Sequence, residues 1–256
     1  MATVNVLVLR AAGINCDQET AHAWRLAGAH VDLVHINRLL ENPARLETYH
    51  AVTIPGGFSY GDNIAAGKIL ARQIQHHLAE SLRRFVDSGK LVLGICNGLQ
   101  VLVKAGLLPG DNGASQSVTV TYNDSNRFED RWVHLAVTAD HCVFLEPKRQ
   151  LFLPVAHGEG KIVARDRAAL GRLRDRQLIA LRYVDARGRP GGYPVNPNGS
   201  EDHAAGLTDP TGRILGLMPH PERFVHPTQH PRWTRAPREP EPCGRTLFTR
   251  AVAYLR

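Results

Sequence analysis

Several features that mark common protein classes are scarce here. The 256 residues hold only four cysteines, Cys16, Cys96, Cys142 and Cys243, far apart and with no CxxC pair. That argues against a zinc knuckle and against the disulfide framework of small secreted domains. No apolar run approaches the roughly 20 residues that span a bilayer. The N-terminal run Val4 to Leu9 is interrupted by Asn5, and it lacks the charged flank and cleavage site of a secretory signal. Aromatic residues make up 6% of the chain and are not interleaved with the scattered arginines as in a nucleic-acid-binding motif. These absences lead us to expect a soluble globular chain with free thiols in a reducing, cytoplasmic setting, with no membrane and no nucleic-acid partner. The formal charge of +7 suits an acidic protein partner or a phosphate-bearing neighbour instead.

Apolar residues, at 43%, suffice for a substantial core. The first hundred residues alternate between two patterns. Strand-like runs at Val4 to Leu9, Val31 to Ile36, Ala51 to Ile54 and Lys90 to Ile95 are separated by helix-compatible stretches at Asp17 to Leu26 and Ile64 to Ser88. Parallel strands need crossover connections, so this alternation predicts an α/β fold with a mostly parallel sheet covered on both faces. After Gly110, the runs Ser117 to Tyr122, Trp132 to Thr138 and Leu178 to Val184 alternate or are β-branched, which predicts antiparallel additions to that sheet. No linker or internal repeat divides the chain, so residues 1–256 read as one domain. The stretch 227–242, rich in proline and charge, reads as a surface loop before a final helix at Arg245 to Leu255.

In open parallel sheets, sites form beyond the carboxyl ends of the strands. The loop after Ile95 carries Gly94-Ile95-Cys96-Asn97-Gly98, the spacing of a nucleophile elbow, in which a sharp strand-to-helix turn presents the middle residue and the glycines relieve crowding. Cys96 is then expected at the exposed top of the sheet. The positive end of a following helix, Gly98 to Ala105, stabilises negative charge on its sulfur, and the Asn97 amide points at an oxyanion. Read alone, the five residues fit a small core cysteine equally well.

A thiolate that transfers acyl groups needs a base, and the base needs an orienting partner. His220 and Glu222 follow the apolar strand Ile214 to Leu217, and their two-residue spacing puts them on one side of an extended segment. The third strand end, Pro55-Gly56-Gly57-Phe58, brings paired glycines whose amides can approach an oxyanion or phosphate. Cys16 is the competing thiol, since it also follows a strand and can open a helix, but only Gly13 stands nearby and the sequence offers it no base. The 13 histidines raise a metal-binding alternative. His76 and His77 face different sides of a helix, and His220, His226 and His230 are broken up by prolines, so no metal site is expected. Asn198-Gly199-Ser200 reads as a turn.

The strings VTIPGGFSYGDNIAAGK, LGICNGLQVL, SNRFEDRW, HGEGK, YPVNPNGS and LGLMPHPER, spread from about Leu9 to Phe224, together resemble the glutaminase subunits of phosphoribosylformylglycinamidine synthase. Those are class I (triad) glutamine amidotransferases of de novo purine biosynthesis. The resemblance implies their three-layer, flavodoxin-like fold. It implies that Cys96 attacks the side-chain amide of glutamine, that His220 serves as base and then acid, and that Glu222 orients the imidazole. The amides of Gly57 and Asn97 would form the oxyanion hole, with Phe58 as the alternative to Gly57, and Gly56, Phe58 and Gln100 would contact glutamine. No cofactor belongs to such a subunit: ammonia passes to a partner synthetase subunit, which uses ATP and Mg, and a third small subunit stays open. SNRFEDRW and HGEGK are the implied partner-facing loops.

Three features depart from that family. Leu99 stands where Phe is common, the loop Arg10 to Asp17 lacks the usual proline, and His226 to Pro242 has no counterpart. A cysteine hydrolase or stress protein of the same architecture is the competing reading. Its residue after the nucleophile is typically His, whereas this chain has Asn97.

Overall fold

In the computed structural model, which describes residues 3–110, 116–235 and 242–256, the short apolar runs form strands and the amphipathic stretches cover them. The strands are β1 (Asn5–Arg10), β2 (His30–His35), β3 (Ala51–Ile54), β4 (Leu91–Ile95), β5 (Val118–Tyr122), β6 (Glu129–Val137), β7 (Gln150–His157), β8 (Glu159–Ala164), β9 (Ile179–Val184), β10 (Ala204–Thr208) and β11 (Ile214–Leu217). The helices are α1 (Asp17–Leu26), α2 (Ile36–Glu41), α3 (Lys68–His77), α4 (Ala79–Asp87), α5 (Asn97–Lys104), α6 (Arg167–Asp175) and α7 (Cys243–Tyr254).

The main sheet has nine strands in the order β2-β1-β3-β4-β11-β10-β9-β6-β7. From β2 to β11 every pairing is parallel, and from β11 to β7 every pairing is antiparallel. The central strands β3 and β4 are buried along their whole length, as strands covered on both faces must be. Adjacent residues of β3 show the two covers. The Thr53 hydroxyl accepts the indole N–H of Trp24 on α1 (2.8 Å), while Ile54, pointing the other way, meets Gly98 of α5. Helix α7 packs beside α1, and α3 packs beside α5, which gives three layers. The expected α/β class and mostly parallel core are therefore present.

The chain departs from expectation in its second half. Val118–Tyr122 does not extend the main sheet: it pairs with β8 in a separate two-stranded ribbon. Only Gly158 separates β8 from β7, so β8 turns off the sheet edge and takes β5 as its partner. Strands β7, β8 and β10 and helix α6 stand where the sequence had suggested no element. The start of α6 is marked by Asp166, whose carboxylate accepts the Ala169 amide (2.7 Å) as an N-cap. Of the proline-rich stretch 227–242, Pro227–Gln229 forms one 3₁₀ turn, and residues 236–241 lie outside the described residues.

Candidate active site

Strand β4 ends at Ile95 and α5 begins at Asn97, so Cys96 alone makes the turn, at φ 51° and ψ −105°. Its amide still donates to Leu217 O of β11 (2.7 Å), which holds the strand in register up to the point where the helix starts. A non-glycine residue in this region is strained, and the surroundings must hold it there. The flanking glycines let them do so. A Cβ on Gly94 would lie 2.5 Å from Leu102 Cδ1, and one on Gly98 would lie 2.0 Å from Ile54 O. Both glycines are therefore needed for α5 to seat against β3 and β4.

The turn does not leave the thiol on open surface, as the sequence had suggested: Cys96 is 6% exposed. Its sulfur lies 3.7 Å from Ala156 O and lines a cavity of about 400 Å³, whose walls include Gly57, Phe58, Gln100, His157 and His220. That volume falls in the usual range for small-molecule sites.

His220 is anchored at the end of β11 by its own amide, which donates to Pro154 O of β7 (2.8 Å). Its partner reaches it through a turn and not through strand alternation, because Pro221–Arg223 is a 3₁₀ turn that folds Glu222 back. His220 Nδ1 donates to Glu222 Oε1 at 2.6 Å with both side chains buried. Nδ1 is thus occupied, and Nε2 has no hydrogen-bond partner although it is buried. Burial opposes the imidazolium, but Glu222 and Cys96 outweigh it, so the His220 pKa is raised well above its ordinary value. The ring thus has one nitrogen held by Glu222 and one without a hydrogen-bond partner, and it is electrostatically coupled to a sulfur on a strained turn.

Two backbone amides remain for an oxyanion. The Phe58 amide is committed to Gly13 O (2.9 Å), so Phe58 cannot replace Gly57 as donor. Gly57 sits at φ 138°, a conformation suited to glycine, and among the described residues its N–H has no intrachain acceptor. Asn97, the first residue of α5, has an N–H that no helical carbonyl can satisfy. Its side chain is structural: Oδ1 accepts the Ser59 amide (3.2 Å) and Nδ2 donates to Gln100 Oε1 (2.8 Å).

The three proposed glutamine contacts fare differently. Phe58 lines the cavity. Gln100 also reaches the wall, but Glu159 O accepts from its Nε2 and Asn97 donates to its Oε1, so its amide ties α5 to the 157–160 turn. Gly56 is absent from the wall. It is a spacer, since a Cβ there would meet His220 Cε1 at 2.9 Å and Cys16 Sγ at 3.1 Å.

Other neighbours were not foreseen. Cys16, for which the sequence offered no base, lies against His220 and accepts from Arg223 Nη2 at 3.2 Å. Burial pushes its thiol pKa up, against the lowering effect of His220. Cys16, Glu19, His220 and Glu222 have ligand atoms within 4.8 Å of one another. The Arg223 guanidinium donates to two of these four, Glu19 Oε1 (3.0 Å) and Cys16 Sγ (3.2 Å). Behind the cavity, Asn123, two residues before the SNRFEDRW stretch, and Asn198 and Ser200 of the NPNGS stretch bind the turn at Gly160.

A doubly covered mixed sheet with a parallel core and with a thiol, an imidazole and a carboxylate gathered at its strand ends has the architecture of a triad-type glutamine amidotransferase. The model of the CobB/CobQ-like glutamine amidotransferase domain family matches residues 3–255. The relative named phosphoribosylformylglycinamidine synthase subunit PurQ from Dehalococcoides mccartyi is 46% identical over 258 residues, covering 100% of this chain and 99% of its own. That of Methanococcus maripaludis is 43% identical, covering 89% of this chain and 85% of its own. A chain of the PurLQS structure from Thermotoga maritima superposes with a TM-score of 0.75 at 30% identity, with all of both chains covered. The chain belongs to this amidotransferase family and, within it, to the PurQ subunits.

Proposed function

We propose that this chain is the glutaminase subunit of a phosphoribosylformylglycinamidine synthase and that Cys96, His220 and Glu222 are its catalytic triad. The sulfur of Cys96 attacks the glutamine side-chain carbonyl carbon, and the resulting oxyanion is met by the N–H groups of Gly57 and Asn97. His220, holding the proton, gives it to the departing nitrogen, so that the C–N bond breaks and ammonia leaves a glutamyl thioester. Neutral His220 then takes a proton from water, whose oxygen attacks the thioester. The C–S bond breaks, glutamate departs, and the sulfur and imidazole are restored. Glu222 holds Nδ1 throughout, which leaves Nε2 for the proton transfers.

The ammonia passes to an ATP-dependent synthetase subunit, which makes the formylglycinamidine ribonucleotide and carries the ATP and Mg chemistry. No cofactor acts in this chain. Support comes from the relatives, which are named for that enzyme, and from the PurLQS structure in which a similar chain occurs. A third small subunit would complete the assembly that this last name describes. The observation that carries the reading is the free, buried Nε2 of His220 beside Cys96 at its strained turn.

Cys16 shares the same histidine, so the thiols must be told apart by reactivity. We expect a glutamine-like electrophile to label Cys96, as read by peptide mass spectrometry, with glutamine protecting. Label on Cys16 and none on Cys96 would overturn the assignment.

A further inference from the structure

The cavity at Cys96 opens between exposed aromatic side chains: Phe58, Tyr122 and Phe128 are 48%, 66% and 54% exposed and all line it. Tyr122 and Glu159 also belong to a second, larger cleft of about 1020 Å³ that runs from this mouth between α3, α4 and β5. Among the described residues that line it, Lys68, Arg72, Arg83 and Lys104 are cationic and Glu159 is the one carboxylate, with Asp62 of the adjoining cavity also acting on Lys104. Some cations elsewhere on the surface are held in ion pairs, Arg84 with Glu80, Arg149 with Glu146 and Arg182 with Asp202. Among the described residues, Lys68 and Arg83 have no ion pair, and Arg72 donates to the neutral Gln75 (2.7 Å).

We propose that this continuous face, aromatic collar and basic cleft together, is the docking surface for the ammonia-consuming synthetase, with an acidic segment of that subunit seated between α3, α4 and β5. The proposal rests on the reading of the chain as a glutaminase subunit. Ammonia is small, neutral and soluble, so the mouth from which it leaves must be closed to water by the partner. Exposed apolar side chains around a pocket mark such a contact. Unpaired cations beside them give the contact its orientation and its rate, because complementary potentials steer association and like charges reject wrong partners.

The test uses the full chain with its synthetase and the variant Lys68→Glu/Arg72→Glu/Arg83→Glu, none of which touches the Cys96 cavity. Titration of the labelled synthetase at low and moderate salt is expected to show binding weakened by about 100-fold, with the steep salt dependence of the wild type lost. Labelling of Cys96 and basal glutamate release by the variant alone stay within twofold of wild type, which shows that it is folded. If charge reversal impairs folding, Arg72→Gln/Arg83→Gln replaces it, with binding expected about tenfold weaker. Binding within twofold of wild type would overturn the proposal while leaving the glutaminase reading intact. Failure of the wild type to bind the synthetase or to support glutamine-dependent synthesis would sink that reading itself, and the docking surface with it.

Discussion

His157, at the end of β7, is a buried imidazole whose tautomer its neighbour decides. Asn123 Nδ2 donates to Arg127 O (2.9 Å) and His157 O (2.8 Å), so its Oδ1 accepts, from His157 Nδ1 (3.1 Å) and from Gly160 N (3.0 Å). Nδ1 therefore carries the hydrogen and Nε2 is bare. Burial, with His220 nearby, pushes the His157 pKa down to about 4 from 6.5. Because the folded value lies below the unfolded one, stability is fully present above pH 6.5. It is lost as pH falls toward 4, since the unfolded chain takes up a proton that the native state refuses. One proton contributes a slope of at most about 1.4 kcal/mol per pH unit. Urea melts of His157→Gln between pH 4 and 6.5 should show a stability curve flatter by about that amount than the wild type, and an unchanged slope would contradict the assignment. The catalytic candidates were legible because their signals are local: glycines two places either side of Cys96, and a histidine and glutamate two residues apart after a strand. The pairing of Cys16 with Arg223, 207 residues away, and of His157 with Asn123, 34 away, exists only once strands are in register.

At the scale of elements, the site depends on how closely α5 approaches the sheet. Gly98 is the contact point, and a methyl group there has only 2.0 Å to Ile54 O, which is backbone and cannot swing aside. Gly98→Ala should push α5 off β3, destabilise the fold by about 3 kcal/mol and widen the Cys96 turn, so that glutamine turnover falls with it. Gly171→Ala is the control. Gly171 lies in α6 with open space around its Cβ, and alanine there should stabilise by up to about 1 kcal/mol with turnover unchanged. Chemical denaturation of both variants checks the pair, and wild-type stability in Gly98→Ala would remove the argument. The parallel strands were legible because runs such as AVTI and LVLGI are aliphatic and β-branched with no charged residue, the mark of strands covered on both faces. The β5–β8 ribbon was not. Alternating residues show that a strand has one buried face, but not which neighbour it pairs with.

Across the whole molecule, the parallel half of the sheet gathers the strand ends that hold Gly57, Cys96 and His220, while the antiparallel half supplies Pro154, Ala156 and His157 to support and wall the same cavity. The chemistry thus lies where the two halves meet, with the aromatic collar and basic cleft opening beside it. This convergence was only partly legible, since the sequence located the strand ends but not the order in which β11 inserts beside β4. The account's central claim is that Cys96 makes ammonia for another subunit to use. The most direct test reconstitutes the chain with its synthetase and compares amidine formation from glutamine and from ammonium salt, in wild type and in Cys96→Ala. The variant should lose glutamine-dependent synthesis to background and keep the ammonium-dependent rate. Synthesis lost with ammonium as well, or retained with glutamine, would contradict the account.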